Sequence, residues 1–169
     1  AQYREERIQD IAISIDAFSG EDLLERRIRK PKDLASLITG LYMNESATNQ
    51  VDPLFTLHGI GTNDRNSNQN NAIAMYVDGV AVPYNAMASH ALFDIERVEV
   101  LKGPQGTLYG RNTTGGAVNF ISRRPDTESG GYFYASYGER NTVDLEGAFN
   151  LPLGDSFALR LAASVSQQN

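Results

Sequence analysis

Hydrophobic positions along the chain come in short blocks whose period changes from one block to the next. Ile11, Ile13 and Ile15 alternate with Ala12, Ser14 and Asp16, the period of a half-buried strand. Ser19-Gly20-Glu21-Asp22 then reads as an N-cap with acidic residues in the first helical turn. Leu23, Leu24 and Ile28 follow at helical spacing, and Arg26, Arg27, Arg29 and Lys30 load the C-terminal end, where the helix dipole favours cations. Pro31 suits the first position of a second short helix, with Leu34, Leu37 and Ile38 on one face and Gly40 as its stop. Residues 41–82 predict short strands joined by polar turns. One strand is residues 54–57, ended by His58-Gly59-Ile60-Gly61, and residues 73–77 and 80–82 form a hairpin about Asp78-Gly79. Between them the Asn-rich stretch 62–71 is a polar loop. Residues 97–101 alternate again, and residues 117–121 make a further strand after Gly115-Gly116. The pattern describes a compact α+β unit.

Past Arg124-Pro125 the strands lengthen. Val143, Leu145, Gly147 and Phe149 share one face, with Thr142, Asp144, Glu146 and Asn150 on the other. After a Pro152-Leu153-Gly154-Asp155 turn, Phe157, Leu159, Leu161, Ala163 and Val165 lie opposite Ser156, Arg160, Ser164 and Ser166. With residues 132–137 these predict a three-stranded antiparallel meander. One-sided alternation over about ten residues suits a transmembrane β-strand and a soluble sandwich strand equally. The residues after Arg124 supply at most about three or four strands, whereas the smallest transmembrane barrels need about eight. An open sheet ending on an unpaired strand is an aggregation hazard, so the expectation is a piece of a longer chain. The charged start, Ala1-Gln2-Tyr3-Arg4-Glu5-Glu6-Arg7, is expected to be a processed or cropped terminus.

Composition narrows the class. The 169 residues carry 15 Lys and Arg against 21 Asp and Glu, a net charge of −6, which argues against a nucleic-acid partner. At 41% hydrophobic residues the chain can bury a core. With no Cys there is no disulfide framework, thiolate metal site or thiol nucleophile. No apolar run approaches the ~18 residues of a membrane-spanning helix.

Catalytic and cofactor chemistry finds little support. The Gly-rich segment from Lys102 to Gly116 lacks both the Gly-Lys-Ser/Thr and the dinucleotide spacing, and reads as tight, closely packed turns. His58 and His90 have no neighbour at metal-ligand spacing. Asp94, Glu96 and Glu99 suggest paired acids, but in a strand Glu96 and Glu99 face opposite sides and Glu99 shares a face with Arg97, which favours a salt-bridged structural strand. No enzyme, cofactor or metal is expected.

Three runs do carry a resemblance: Tyr76-Val77-Asp78-Gly79-Val80, then Arg97-Val98-Glu99-Val100-Leu101-Lys102-Gly103-Pro104-Gln105-Gly106-Thr107-Leu108-Tyr109-Gly110, then Gly115-Gly116-Ala117-Val118-Asn119. Together they closely resemble the plug domain of TonB-dependent outer-membrane receptors. The stretch Ile13-Ser14-Ile15-Asp16-Ala17-Phe18-Ser19-Gly20-Glu21-Asp22-Leu23 and Gly59-Ile60-Gly61-Thr62-Asn63-Asp64-Arg65 are similar to the same family. The resemblance implies an α+β plug of short mixed sheet and small helices over residues 1–125. Residues 126–169 would begin a transmembrane β-barrel of the twenty-two-stranded, plugged kind. It implies a non-enzymatic transporter of the outer membrane of a Gram-negative bacterium, binding a scarce extracellular ligand, foremost a ferric siderophore, and energised by TonB. Cobalamin, haem, carbohydrates and small aromatics are alternative cargoes.

On the resemblance, the apical ligand contacts would be His58, Thr62, Asn63, Asp64, Arg65, Pro83, Tyr84 and Met87, although solvated turn residues would have the same composition. Arg97 and Glu99 would serve plug-to-barrel electrostatics. Asp78, Gly79, Gly103, Pro104, Gly106, Tyr109, Gly110, Gly115 and Gly116 would build the plug itself. The apolar strand faces would meet lipid, with Asp144, Glu146 and Arg160 turned to the lumen. The chain departs from the family pattern in three ways: the TonB box, which normally lies just before the plug, is expected to be cropped or absent here, most of the barrel is missing, and His58 stands where the family usually has Arg, which would weaken a carboxylate lock and make it pH-dependent. The competing expectation is a stand-alone periplasmic plug-like binding module without transport, docking through its terminal hairpin.

Overall fold

The computed structural model describes residues 14–44, 54–61, 72–82, 92–110, 113–138, 141–154 and 157–167. The contacts divide the chain into two compact units. The first is Ala1–Leu92 with Arg97–Ile121, and the second is Phe93–Glu96 with Ser122–Asn169.

In the first unit β1 (Ile15–Ser19) runs straight into α1 (Gly20–Glu25) through the cap expected from the sequence. The Asp22 amide donates to Ser19 Oγ at 3.1 Å and the Ser19 amide donates to Asp22 Oδ2 at 3.0 Å, a complete capping box. The helix is shorter than expected. It stops at Glu25 because Arg27 turns left-handed at φ 57°, and the basic residues 26–30 lie beyond it. The Ile28 amide then reaches Leu23 O at 2.8 Å and the Arg27 amide reaches Leu24 O at 3.1 Å, the paired bonds of a Schellman stop. Ile28 and Leu23, both buried, supply the apolar contact that accompanies it. The second helix is a 3-10 turn (Pro31–Ser36) whose start is held by the Lys30 amide on Asp33 Oδ2 at 2.9 Å.

Two sheets follow. β2 (Leu41–Asn44), β3 (Leu54–Leu57) and β4 (Ile60–Gly61) form an antiparallel set, with His58-Gly59 as the β3–β4 turn. The larger sheet has the order β1-β7-β8-β5-β6 and combines β7 (Ile95–Lys102), β8 (Gly116–Ser122), β5 (Ile73–Val77) and β6 (Val80–Ala81) with β1. It is mixed: β1 runs antiparallel to β7, β5 parallel to β8, and β6 returns antiparallel about Asp78-Gly79. Both faces of the central strands are covered over residues 98–101 and 116–120, and β8 reads as a near-continuous apolar run whereas β7 alternates with Arg97 and Glu99. Ile73, Met75, Val98, Val100, Val118 and Phe120 are all buried. On the opposite face Leu101, Ala117 and Tyr76 pack with Ile15, Ala74 and Tyr109. Tyr109 comes from α2 (Gly106–Tyr109), a single helical turn inside the segment that the glycines alone suggested was only turns.

The second unit contains β9 (Gly130–Gly138), β10 (Thr142–Pro152) and β11 (Ala158–Gln167) as an antiparallel meander in the order β11-β10-β9. Its register puts Phe149 opposite Gly131 and Leu161, and Leu145 opposite Ala135 and Val165. The two faces expected from the alternation are therefore assembled across all three strands.

Candidate functional site

The sheet of the second unit is inverted relative to a soluble protein. Its apolar face is open, with Phe133 76%, Leu161 58% and Val165 61% exposed, whereas Glu146 on the other face is only 5% exposed. Hydrogen bonds explain how charge is held on the polar face. Asp144 accepts from Ser166 Oγ at 2.6 Å and from Ser136 Oγ at 3.2 Å, one from each neighbouring strand. Asn150, buried, donates through Nδ2 to the Asp126 and Glu128 carbonyls at 2.6 Å each and accepts the Asp126 amide at 3.0 Å. That side chain clamps the connecting stretch 126–128 to β10.

The densest polar cluster gathers on Asp94. Arg160 of β11 forks onto its carboxylate, with Nε on Oδ2 at 2.7 Å and a second, shorter bond from Nη2 to Oδ1. The Asp94 amide donates to Glu146 Oε1 at 3.3 Å, and the same oxygen accepts the Tyr132 hydroxyl at 2.6 Å. The Asp94 carbonyl accepts the Arg123 amide at 3.0 Å, and the Arg123 guanidinium lies 5.8 Å from the Tyr132 ring centre. Asp94 itself is left-handed at φ 50°, a conformation its short polar side chain tolerates. This cluster combines an acid that sequence reasoning set aside with an arginine it placed only on a polar strand face. Partners 66 and 52 residues apart leave no local signal beyond the shared face of Glu146 and Arg160.

The other sequence-predicted residues fall as follows. Arg97 Nε donates to Glu99 Oε1 at 2.9 Å, the same-face pair expected from the strand period, and Glu99 is buried. His58 sits left-handed in the β3–β4 turn, its amide on the Gly40 carbonyl at 2.8 Å. Its ring lies where a Cβ on Gly40 would fall. Thr62, Asn63, Asp64, Arg65, Pro83, Tyr84 and Met87 lie outside the described residues. The plug motif forms one folded-back loop. Gly103 donates to Gly115 O at 3.2 Å, Gln105 to Thr113 O at 2.9 Å, and Gly115 to Ala72 O at 2.8 Å. The Tyr76 hydroxyl donates to the Tyr109 carbonyl, and the two rings are tilted with centres 4.8 Å apart. The Asp78 amide donates to Phe120 O at 2.9 Å, which carries the β5–β8 pairing into the start of the turn. Pro104 and Gly106 are exposed, and Gly110 is the residue after α2.

A mixed plug sheet with this Gly-rich loop, followed by strands with an open apolar face, defines a plugged-barrel receptor architecture. The TonB-dependent receptor plug domain matches residues 7–117, and the chain belongs to that family. Over 139 residues it is 30% identical to the pesticin receptor of Yersinia pestis, covering 82% of this chain and 20% of that protein. It is 36% identical over 135 residues to the catecholate siderophore receptor Fiu of Escherichia coli K12, covering 70% of this chain and 17% of that one. The crystal structure of the ferric yersiniabactin uptake receptor FyuA from Yersinia pestis superposes with a TM-score of 0.81 at 28% identity, over 92% of this chain and 24% of that one. The chain thus spans about a fifth of the length of the curated relatives it matches.

Proposed function

We propose that the chain is the plug and opening barrel strands of an outer-membrane receptor of a Gram-negative bacterium, which captures a ferric siderophore outside the cell and imports it when TonB remodels the plug. The observation that carries this reading is the inverted sheet: an apolar face left open and a polar face whose carboxylates are hydrogen-bonded and whose centre, at Glu146 and Asn150, is buried. In water that arrangement leaves large hydrophobic side chains solvated for no gain, whereas in a bilayer the same face is buried in acyl chains. β10 spans 11 residues and β11 spans 10, the length at which tilted strands cross a hydrocarbon core. The siderophore assignment is supported by the names of the catecholate and yersiniabactin receptors.

In this reading the plug occludes the lumen and contributes an apical ligand surface. His58, Thr62, Asn63, Asp64, Arg65, Pro83, Tyr84 and Met87 are proposed as its contacts, and Arg97 with Glu99 as a source of plug-to-barrel electrostatics. Tight capture of a scarce ligand makes spontaneous release slow, so work must be done on the site to let the ligand pass. No covalent step is required. Fractionating native cells and probing with an antibody to residues 20–120 tests the reading. The expected result is a band several times the size of this chain in the outer membrane, and ferric siderophore uptake that disappears when the gene is deleted. A soluble periplasmic band would replace the transporter by a stand-alone binding module.

A further inference from the structure

We infer that the basic stretch after α1 borders a docking cleft for an acidic, partly apolar polypeptide segment. Every residue involved belongs to the first unit, and the site goes beyond the transport reading without resting on it. Arg26, Arg27, Arg29, Lys30 and Lys32 place five of the 15 cations within seven residues, in a chain whose net charge is −6. The helix dipole does not account for them, because it acts on charges within the last turn and that turn of α1 holds no basic residue. Arg26, Arg27 and Lys30 are exposed. Arg26 lies near enough to Asp22 to act on its charge, but neither Arg27 nor Lys30 enters an ion pair among the described residues.

Arg27 occupies the left-handed position that ends α1, at φ 57°, where glycine carries no strain and any other side chain does. A guanidinium is kept there against the preference of the backbone, and it is exposed rather than packed. Strained positions of this kind cluster where a protein meets its ligands. Beside it lies an open cleft of about 560 Å³, within the size range of ligand sites. Arg26 and Arg27 give the cleft its positive charge, and Ile28, Ala35 and Met43 give it apolar surface. Asp33 also lines it, with Oδ2 already taken by the Arg29 and Lys30 amides at 3.0 and 2.9 Å. The mixture selects the ligand. A small inorganic anion gains nothing from the apolar surface and is repelled by Asp33. A peptide can set carboxylates on the guanidinium forks and lay an apolar side chain over Met43, whose flexible thioether adapts to varied shapes.

The test is fluorescence anisotropy of the full-length protein in neutral detergent with a labelled peptide of alternating glutamate and leucine. The glutamine–leucine analogue and inorganic phosphate serve as competitors. The expected result is saturable binding that weakens as salt is added, because contacts between exposed charges are screened, with neither competitor displacing the peptide. Arg27→Gly is expected to weaken binding about tenfold, as the loss of one charge-assisted pair does. The same variant should leave α1 at least as protected from amide exchange as the wild type, since glycine suits the backbone there, so a lost fold cannot explain the lost affinity. Arg27→Lys keeps the charge without the fork and should restore part of the binding. A wild type that does not bind the peptide, equal binding by Arg27→Gly, or displacement by phosphate as effective as by unlabelled peptide overturns the inference.

Discussion

Among the motif glycines, replacing Gly116 with alanine is expected to be the most damaging, because two separate costs meet there. Its φ of +150° is a conformation that side chains rarely adopt, and holding one there costs about 1–3 kcal/mol. A Cβ built on Gly116 would also lie 2.8 Å from Leu57 Cδ2 and closer still to the carbonyl oxygen of Leu101. Neither neighbour can yield, since one is backbone of the adjacent strand and the other is a fully buried side chain, so overpacking adds about 1–3 kcal/mol. The sum, about 2–6 kcal/mol, corresponds to about 30- to 20,000-fold at 1.4 kcal/mol per decade. Native-state hydrogen exchange at the amides of residues 116–122 in the full-length receptor reads that opening directly. Two other glycines of the same loop calibrate the result. Gly103 shares the positive φ, +87°, but nothing lies within 4 Å of its added Cβ, so its alanine variant carries only the backbone strain of about 1–3 kcal/mol. Gly106 has neither feature and begins α2, where alanine is favoured over glycine by up to about 1 kcal/mol. The order of damage is therefore Gly116, then Gly103, then Gly106. An exchange rate within about fivefold of wild type for Gly116→Ala, or a reversed order, would refute the packing argument.

Ser19→Ala removes the cap of α1 and is expected to cost about 0.5–2 kcal/mol, read as faster exchange at residues 20–25 with little change in β8. The Ser19 hydroxyl and then its amide hold the Asp22 carboxyl below its ordinary pKa, so the unfolded chain takes up that proton first as pH falls. The capping box is thus at full strength at neutral pH and is lost as pH drops through the lowered value; acid titration of α1 exchange should show protection disappearing there, and constant protection would contradict the cap. Leu161→Arg places a charge near the middle of the open strand face and is expected to lower barrel stability by about 2–4 kcal/mol in lipid refolding, whereas Ser164→Arg on the opposite, polar face should cost less. Asn150→Ala leaves two carbonyls and one amide of the 126–128 stretch without their side-chain partner, and limited proteolysis should cut there at least tenfold faster; an unchanged digestion rate would remove Asn150 as the clamp.

What could be read from the chain depended on how local its cause is. The Ser19 cap and the Asp78-Gly79 hairpin involve residues two or three apart, and both were legible. The three long strands were legible because period two persists for about ten residues, which also placed Asp144, Glu146 and Arg160 on one face. The end of α1 was not, since the stop is made by a left-handed Arg27 where glycine is the usual signal. α2 escaped because one turn, Gly-Thr-Leu-Tyr, has no periodicity to detect among glycines that equally suit turns. The Asp94 cluster was illegible for a different reason. Each member is an ordinary charged residue in its own segment, and only the register of β10 against β11, together with the path of the chain before β7, brings them together.

Strand order sets where the mixed sheet of the first unit is weakest. β1, nearest the N-terminus, is an edge strand held by five residue pairs to β7 and by the Lys102–Asp16 ion pair at 2.7 Å. An edge strand gives way from its end pair by pair, and a single half-buried ion pair adds little resistance. Further in, β7 and β8 are central, and their residues 98–101 and 116–120 are buried on both faces, so these stretches separate only as a block. Opening of this sheet is therefore expected to begin at β1 and to reach the middle of β7 and β8 last, so amide exchange in the full-length receptor should be faster at residues 15–19 than at residues 98–101 and 116–120, and equal protection would refute the ordering.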